Sequence, residues 1–383
     1  MSKLGLKTVV LGIVLIGVLS VSVIATAYWW LNSVDSDPEF FVGVEFAYSG
    51  NVNDLKALVD KVKNYTNVFV IGALEISFNQ TALDESCDYV VNSGLNLIVF
   101  FTDSDMYNYA NNYTIFEWMT DAKQKYGDKF LAVYRYDEPG GNQLDQGPSA
   151  LVKNETNYHT TAVNYTNALG LLIDYYMQYM DNIITADYGL YWFDYDAGYT
   201  TVMAEFGWNF SRPLHIALCR GAAKAHNKDW GAIITWTYND TVYLESGEEM
   251  YSDLKLAYDN GAKYAIVFSY PVIGPYGTLT EEHFKALQDF WNYIQSNPQE
   301  HDIIRGEAAY VLPEDYGFGF RGPQDTIWGL WQADNLSQKV WNDANTLLDQ
   351  YGSRLDIVYD EPHVIDSIRN RYAHLFFWNE TIT

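Results

Sequence analysis

The stretch FVGVEFAYSGNVNDLKALVDKVKNYTNVFVIGAL (residues 41–74) contains one complete structural repeat. It opens with six nearly continuous apolar residues, Phe41–Phe46. It then changes period to Leu55, Leu58, Val59 and Val62, the i, i+3, i+4, i+7 stripe of an amphipathic helix, with Asn53 and Asp54 as capping candidates. A second apolar run, Val68–Leu74, closes the unit. A strand that is apolar along its whole length is covered on both faces, as in a parallel sheet wrapped by helices.

The same unit recurs down the chain. Further runs fall at Leu95–Thr102, Phe130–Tyr136, Leu190–Tyr195, Thr201–Phe206, Gly231–Thr237 and Tyr264–Tyr270. Eight runs with helical segments between most of them point to a closed (β/α)₈ barrel rather than an open doubly wound sheet. The long stretch Pro139–Asp187 accommodates a helix at Ala162–Met180 and a loop that roofs one face. Tyr195 to Thr201 is too short for a helix, so a turn is expected there. The last barrel helix opens at Thr280 and turns Phe284, Leu287, Trp291 and Ile294 inward.

Past Pro298 the pattern restarts on a smaller scale. Strands are expected at Glu307–Leu312, Leu355–Tyr359 and His374–Trp378, with a helix capped by Ser337 and another at Val364–Arg371. The chain is thus divided into 1–38, a barrel at 39–300, and a small Rossmann-like α/β domain at 301–383. No GxGxxG opens a helix in that last part, so no dinucleotide is expected, and neither a metal nor another cofactor. The segment YGFGFRGPQDTIWGLW (316–331) is long for a connection and should fold back toward the barrel mouth.

Residues 8–30 (TVVLGIVLIGVLSVSVIATAYWW) hold no charge over 23 positions, enough for one helix to cross a bilayer core of about 30 Å. Lys3 and Lys7 precede this run and Asp35, Asp37 and Glu39 follow it, so the N-terminus is expected in the cytoplasm and the bulk of the chain outside, held at the cell membrane by a single pass. A signal peptide cleaved after Ala25-Thr26-Ala27 is the alternative. Nine Asn-x-Ser/Thr sequons, at Asn64, Asn79, Asn112, Asn154, Asn164, Asn209, Asn239, Asn335 and Asn379, suit an exported glycoprotein. Strong acidity with few cysteines suits an archaeal surface. Cys87 and Cys219 read as buried packing residues. The charge of -26 repels phosphate backbones, which argues against nucleic acid and leaves a neutral substrate or a cation held by carboxylates.

The barrel reading locates chemistry at the C-terminal ends of the strands. Those ends carry Glu45, Glu75, Asp103, Asp137 and Glu138, Asp194 and Asp196, Glu205, and the aromatics Trp236, Tyr238 and Tyr270. Carboxylates gathered on one rim, one to protonate a leaving oxygen and one to attack or to activate water, are what glycoside hydrolysis requires. The chain has 32 Tyr, 19 Phe and 12 Trp, and flat rings are suited to packing on the C–H face of a sugar. Within Tyr134-Arg135-Tyr136-Asp137-Glu138-Pro139-Gly140-Gly141, Glu138 is the expected acid/base, with Arg135 or a neighbouring carboxylate separating the pKa values of the pair. Glu205, or else Asp194, is the expected partner. Tyr136, Trp192 and Trp208 complete the expected sugar contacts, and His215 is read as structural. GxSxG, P-loop and HExxH motifs are absent, which removes serine hydrolase, nucleotide hydrolase and zinc protease chemistry.

Through Tyr136-Asp137-Glu138-Pro139 at the end of its fourth strand, the chain resembles the superfamily of (β/α)₈ glycoside hydrolases. Its barrel followed by a Rossmann-like domain resembles the layout of family 42 β-galactosidases. The likeness covers 39–383 in architecture, and implies a carbohydrate substrate and a pair of carboxylates. Many of those families end strand four in Asn-Glu and strand seven in Glu. Here strand four ends in Asp-Glu and strand seven, Ile234-Thr235-Trp236-Thr237-Tyr238, has no carboxylate, which moves the second acid to strand six or five. A membrane-held glycoside hydrolase is therefore expected. The alternatives are a non-catalytic, sugar-binding envelope barrel and a barrel enzyme of another class using Asp194 and Asp196 on a metal.

Overall fold

A computed structural model describes residues 40–238, 243–298, 306–362 and 369–382. Eight parallel strands close into a barrel in sequence order: β1 (Phe41–Phe46), β2 (Val68–Ile71), β3 (Asn96–Phe101), β4 (Phe130–Arg135), β5 (Ile183–Asp187), β6 (Thr201–Phe206), β7 (Asp229–Ile234) and β8 (Tyr264–Phe268). Closure is made by β1 on β8, with Phe41 opposite Tyr264 and Glu45 opposite Phe268. The expected barrel is therefore present.

Alternation along the strands sorts side chains between two cores. Phe41, Val68, Val70, Ile98, Ala132, Tyr134, Ile184, Ala186, Met203, Ile233, Tyr264 and Ile266 fill the barrel interior. Their outward neighbours, such as Val42, Val44, Phe69 and Val202, pack against the helices. The helix Val52–Val62 buries Leu55, Leu58, Val59 and Val62, as its spacing requires, and is capped by Asn51.

One strand departs from expectation. Leu190–Tyr195 is not a strand: Tyr191–Asp196 forms a short helix, and the fifth strand is Ile183–Asp187. Both segments are short and apolar, and period cannot separate a buried strand from a buried helix at that length. Trp192 and Phe193 fill the helix's contact with Trp328 and Tyr359.

The C-terminal part holds three parallel strands in the order β10-β9-β11, with β9 at Ala308–Leu312, β10 at Leu355–Tyr359 and β11 at His374–Phe377. The helix Asn335–Tyr351 is capped by Asp334, and Ser337 supplies the return bond rather than the cap itself. The helix expected at Val364–Arg371 lies largely outside the described residues, as does the apolar run 8–30. Among the described residues, no helix is long and apolar enough to cross a membrane.

The small sheet is fastened to the barrel, and the two form one compact unit. Gly221, in the helix Arg212–His226, lies so close to β10 that a Cβ would sit 2.3 Å from the Ile357 carbonyl. Beside it the buried Arg220 guanidinium donates to Asp356 Oδ1 (2.7 Å), Asn260 Oδ1 (2.8 Å) and the carbonyls of Ser353 and Leu355. Lys224 and Tyr372 complete the bonds to Asp356 Oδ2. Cys87 and Cys219 are buried free thiols.

Candidate active site

A cavity of about 600 Å³ opens at the C-terminal ends of the strands. Glu45 and Glu205 reach it from β1 and β6, each two residues above an inward-facing position. From the turn after β4 come Asp137 and Glu138, and from the loops Glu75, Trp208, Trp236 and Tyr270. The sequence reading brought these residues together. It also proposed several that lie elsewhere. Arg135 is buried on the outer side of β4, where it pairs with Asp103 (2.7 Å) and stacks on Tyr136 and Tyr176. Tyr136 donates its hydroxyl to the Ser149 carbonyl. Trp192 donates to Glu361 Oε1 (2.6 Å), and Asp196 approaches His226 (3.5 Å), both beneath the C-terminal sheet. Tyr238 is exposed outside the cavity wall. Because Asp194 and Asp196 face different surroundings on a helix, they do not converge on a shared ion.

The turn that carries Glu138 is unusual. Tyr136 and Glu138 both adopt left-handed backbone angles (φ 58° and 53°), which non-glycine residues hold only when their surroundings enforce it. Enforcement comes from β5. Thr185 donates to the Tyr136 carbonyl (2.7 Å), and the Glu138 amide donates to the Ala186 carbonyl (3.0 Å). Asp187, at the tip of β5, accepts the amides of Gly140 (2.5 Å), Gly141 (2.8 Å), Tyr188 (2.7 Å) and Gly189 (3.2 Å). This explains the Pro139-Gly140-Gly141 motif. A Cβ on Gly140 would lie 2.4 Å from the Gly189 carbonyl, and one on Gly141 would enter the Tyr188 ring.

Asp187 was missed because the misplaced fifth strand put its rim seven residues downstream. The cue was present: a short Ile-Ile-Thr-Ala-Asp run follows the long helix and ends on an acid. Asp194 has a supporting place instead. Its fully buried carboxyl accepts the Tyr165 hydroxyl (2.8 Å). Burial and the charge of Asp187 hold the Asp194 carboxyl well above the usual carboxylate range.

The carboxyls of Glu138 and Glu205 line the same cavity, close enough that each perturbs the other's ionisation. Burial, then repulsion from Asp137 and Asp187, pushes Glu138 up to about 8. Burial and the charge of Glu138 hold Glu205 well above the usual carboxylate range. Neighbouring buried acids oppose each other's ionisation, which favours retention of a proton on the pair near neutral pH. The separating influences are neighbouring carboxylates, not Arg135.

Aromatic rings form one wall. Phe210, Trp208, Trp236 and Tyr270 follow one another with centroids 5.8–6.3 Å apart and ring planes within 8–22°. The loop bearing Trp208 and Phe210 is braced by Arg212, which donates to the carbonyls of Gly207, Trp208 and Phe210 and pairs with Asp253. His215 stacks behind Phe210, accepts or donates with the Tyr191 hydroxyl, and is held neutral by burial, its pKa lowered to about 3. Arg321 arrives from the 316–331 segment, which does return to the mouth; it pairs with Asp325 (2.7 Å) and Asp145 (2.6 Å) over the Tyr188 ring. Tyr188, Phe210, Asp145 and Arg321 all line the cavity and were not anticipated.

No protein-family model and no curated protein matches the chain. Solved structures similar to it are barrels that include glycoside hydrolases and other sugar-processing enzymes. One is the pneumococcal virulence factor StrH, described for N-glycan recognition and hydrolysis, with 9% identity, coverage of 70% of this chain and 87% of that one, and a TM-score of 0.44. The GH99 endo-α-mannosidase from Bacteriodes thetaiotaomicron shares 12% identity over 67% of this chain and 97% of that one, at a TM-score of 0.41. Endoglucanase Cel5A from Pseudomonas stutzeri shares 11% over 66% and 93%, at 0.38. The likeness is one of fold.

Proposed function

We propose that the chain is a retaining glycoside hydrolase with Glu138 and Glu205 as its carboxylate pair. The observation that carries this reading is that Glu138 and Glu205 line one cavity walled by near-parallel rings, where the charge of Glu138 acts on Glu205. An inverting mechanism needs room for a water between its acids, about 6.5–9.5 Å, whereas a retaining one sets them at about 5–5.5 Å. Acids near enough to perturb one another leave little room for that water, which favours the retaining arrangement.

Glu138 is assigned as acid/base because its turn is partly open to the cavity, where water must later reach it. Glu205 is rooted in the barrel wall and serves as nucleophile. In the first step the shared proton leaves Glu138 for the glycosidic oxygen, the C–O bond breaks, and the ionised Glu205 forms an ester at the anomeric carbon. In the second, Glu138 takes a proton from water, the resulting hydroxide attacks the same carbon, and Glu205 departs. Atoms and charge balance over the cycle. The ring row favours a glycan chain over a single sugar.

Activated aryl glycosides test the assignment. Glu138→Gln should lose about 10²–10⁴-fold in turnover and recover with azide, which needs no base. Glu205→Gln should lose activity toward every leaving group. Product released by the wild type with inverted configuration would exclude the retaining pair, and an inert Glu205→Gln effect would exclude Glu205.

The same reading keeps residues 8–30 as an uncleaved anchor with the body exported at a cell surface. Supporting it, the eight sequon asparagines among the described residues are all exposed. Protease treatment of intact cells that spares the body would refute it.

A further inference from the structure

Two cavity carboxylates have no part in the proposed catalysis. Glu45 is 5% exposed, lines the cavity, and leaves Oε2 buried without a hydrogen-bond partner. Asp137 opens onto the same space and accepts the Tyr134 hydroxyl. The Glu45 side chain is pressed against bare backbone: a Cβ at Gly72 would lie 2.1 Å from Glu45 Oε1. It therefore cannot withdraw in that direction. Asp137 repels it, and the Tyr134 hydroxyl lies near both acids. No described basic side chain neutralises this corner. Arg135 is turned outward to Asp103, and Arg321 is committed to Asp145 and Asp325. Thr235 Oγ1, on the same wall, is also buried and unpartnered.

A buried acid without a cation, as Glu45 is here, is costly, and the cost is relieved when a ligand supplies the charge; Asp137, exposed at the cavity edge, can meet the same ligand. We propose that Glu45 and Asp137 bind the ammonium group of an unacetylated amino sugar, so that the glycan processed here is built from free hexosamine units. The inference rests on the hydrolase reading for its reaction but not for its ligand. An ammonium offers three donors, which suits the carboxyls of Glu45 and Asp137 together. A ring hydroxyl of the same sugar can then serve Thr235. An acetamido group would bring no charge and more bulk to the same corner. Burial and the charge of Asp137 favour the protonated form of Glu45, and an entering cation displaces that proton.

Calorimetry on the intact protein tests this, with tetramers of glucosamine and of galactosamine beside their N-acetylated forms and the neutral hexose tetramers, near pH 6.5. At least one free-amine tetramer should bind about tenfold or more tighter than its acetylated and neutral counterparts. Its binding should release protons, read as a heat that changes with the buffer. Glu45→Gln should collapse the preference toward one while neutral binding persists. Asp137→Asn provides a second variant where Glu45→Gln fails to fold. Equal affinity for amine and acetamide, absence of binding by every amine tetramer, or a preference unmoved by both variants would overturn the proposal. Hydrolysis of neutral glycosides without amine preference would overturn it while leaving the hydrolase reading intact. Amine-selective binding without turnover of any glycoside would do the reverse.

Discussion

Asp187 is the residue whose removal best separates placement from chemistry. It touches neither proposed reacting centre directly, yet it ties the Glu138 turn to β5 through amides of Gly140 and Gly141. Asp187→Asn preserves shape. An asparagine carbonyl in the Oδ1 position keeps the amides of Gly141, Tyr188 and Gly189. Its NH₂ then faces the Gly140 amide from the position of Oδ2, where the present contact is 2.5 Å, so two donors oppose one another. A buried donor left unsatisfied costs about 1–3 kcal/mol. Loss of the buried charge offsets part of this, because burial already pushes Asp187 up to about 7. A net destabilisation of roughly 1–2 kcal/mol follows, read as a modest fall in Tm.

The effect on turnover should be larger than the effect on stability. A reacting group displaced by about 1 Å can lose about 10²-fold in rate, and Glu138 at φ 53° has no conformational reason to stay once its support weakens. We expect kcat/KM to fall by about ten- to a hundredfold on activated glycosides. The pH profile supplies the readout that a general loosening would not move. Asp187 is one of the charges raising Glu138 toward about 8; without it the shared proton is released at lower pH. The high-pH limb should therefore shift downward. An Asp187→Asn protein with wild-type kcat/KM and an unmoved limb would refute the idea that Asp187 holds and tunes Glu138.

Three further outcomes follow from the same structure. Acids whose folded pKa is raised, such as Glu138 and Asp196 at about 8, bind protons in the folded state that the unfolded chain has released, so stability should decline from about pH 5 to 8; thermal melts that rise across that window would contradict it. Asp356→Ala leaves the fully buried Arg220 without its counter-charge and should cost about 3–5 kcal/mol, measurable by denaturant unfolding, whereas a loss below about 1 kcal/mol would deny that this pair fastens the small sheet. Trp236→Ala removes the middle of the ring row, so KM for long oligosaccharides should rise severalfold while turnover of an aryl monoglycoside changes little; equal losses on both substrates would show that the row does not bind a chain.

What could be read from sequence was whatever depends on local period. β1 and β6 coincide with their apolar runs, and the helix Val52–Val62 buries the four residues its spacing selects. With those strands came the rim acids Glu45, Glu138 and Glu205, because a strand's end is legible once its register is. The fifth strand shows the limit. Tyr191–Asp196 is as apolar as any strand, but its aromatics are spent on Trp328 and Tyr359, which lie far along the chain. No local rule reports a contact at that separation. The same error misassigned Asp194 and Asp196 to the rim and hid Asp187. Arg321 and Tyr188 were illegible for a related reason, since their places depend on how a long segment returns over the mouth.

Errors of this kind have a common physical form. Each residue placed wrongly was judged by its type, while its place was decided by a partner. Arg135 follows Tyr134 on the same strand, so alternation sends it outward, to Asp103, and away from Glu45 and Asp137. Its absence there, rather than any single motif, gives the corner its character: Glu45 stays buried and uncompensated, with the exposed Asp137 beside it. A fold that keeps unpaired acids at its mouth despite their cost is one in which another molecule completes the charge balance. The proposed pair, Glu138 and Glu205, can act on a glycan, but it is Glu45 and Asp137 beside it that give the site a reason to choose one.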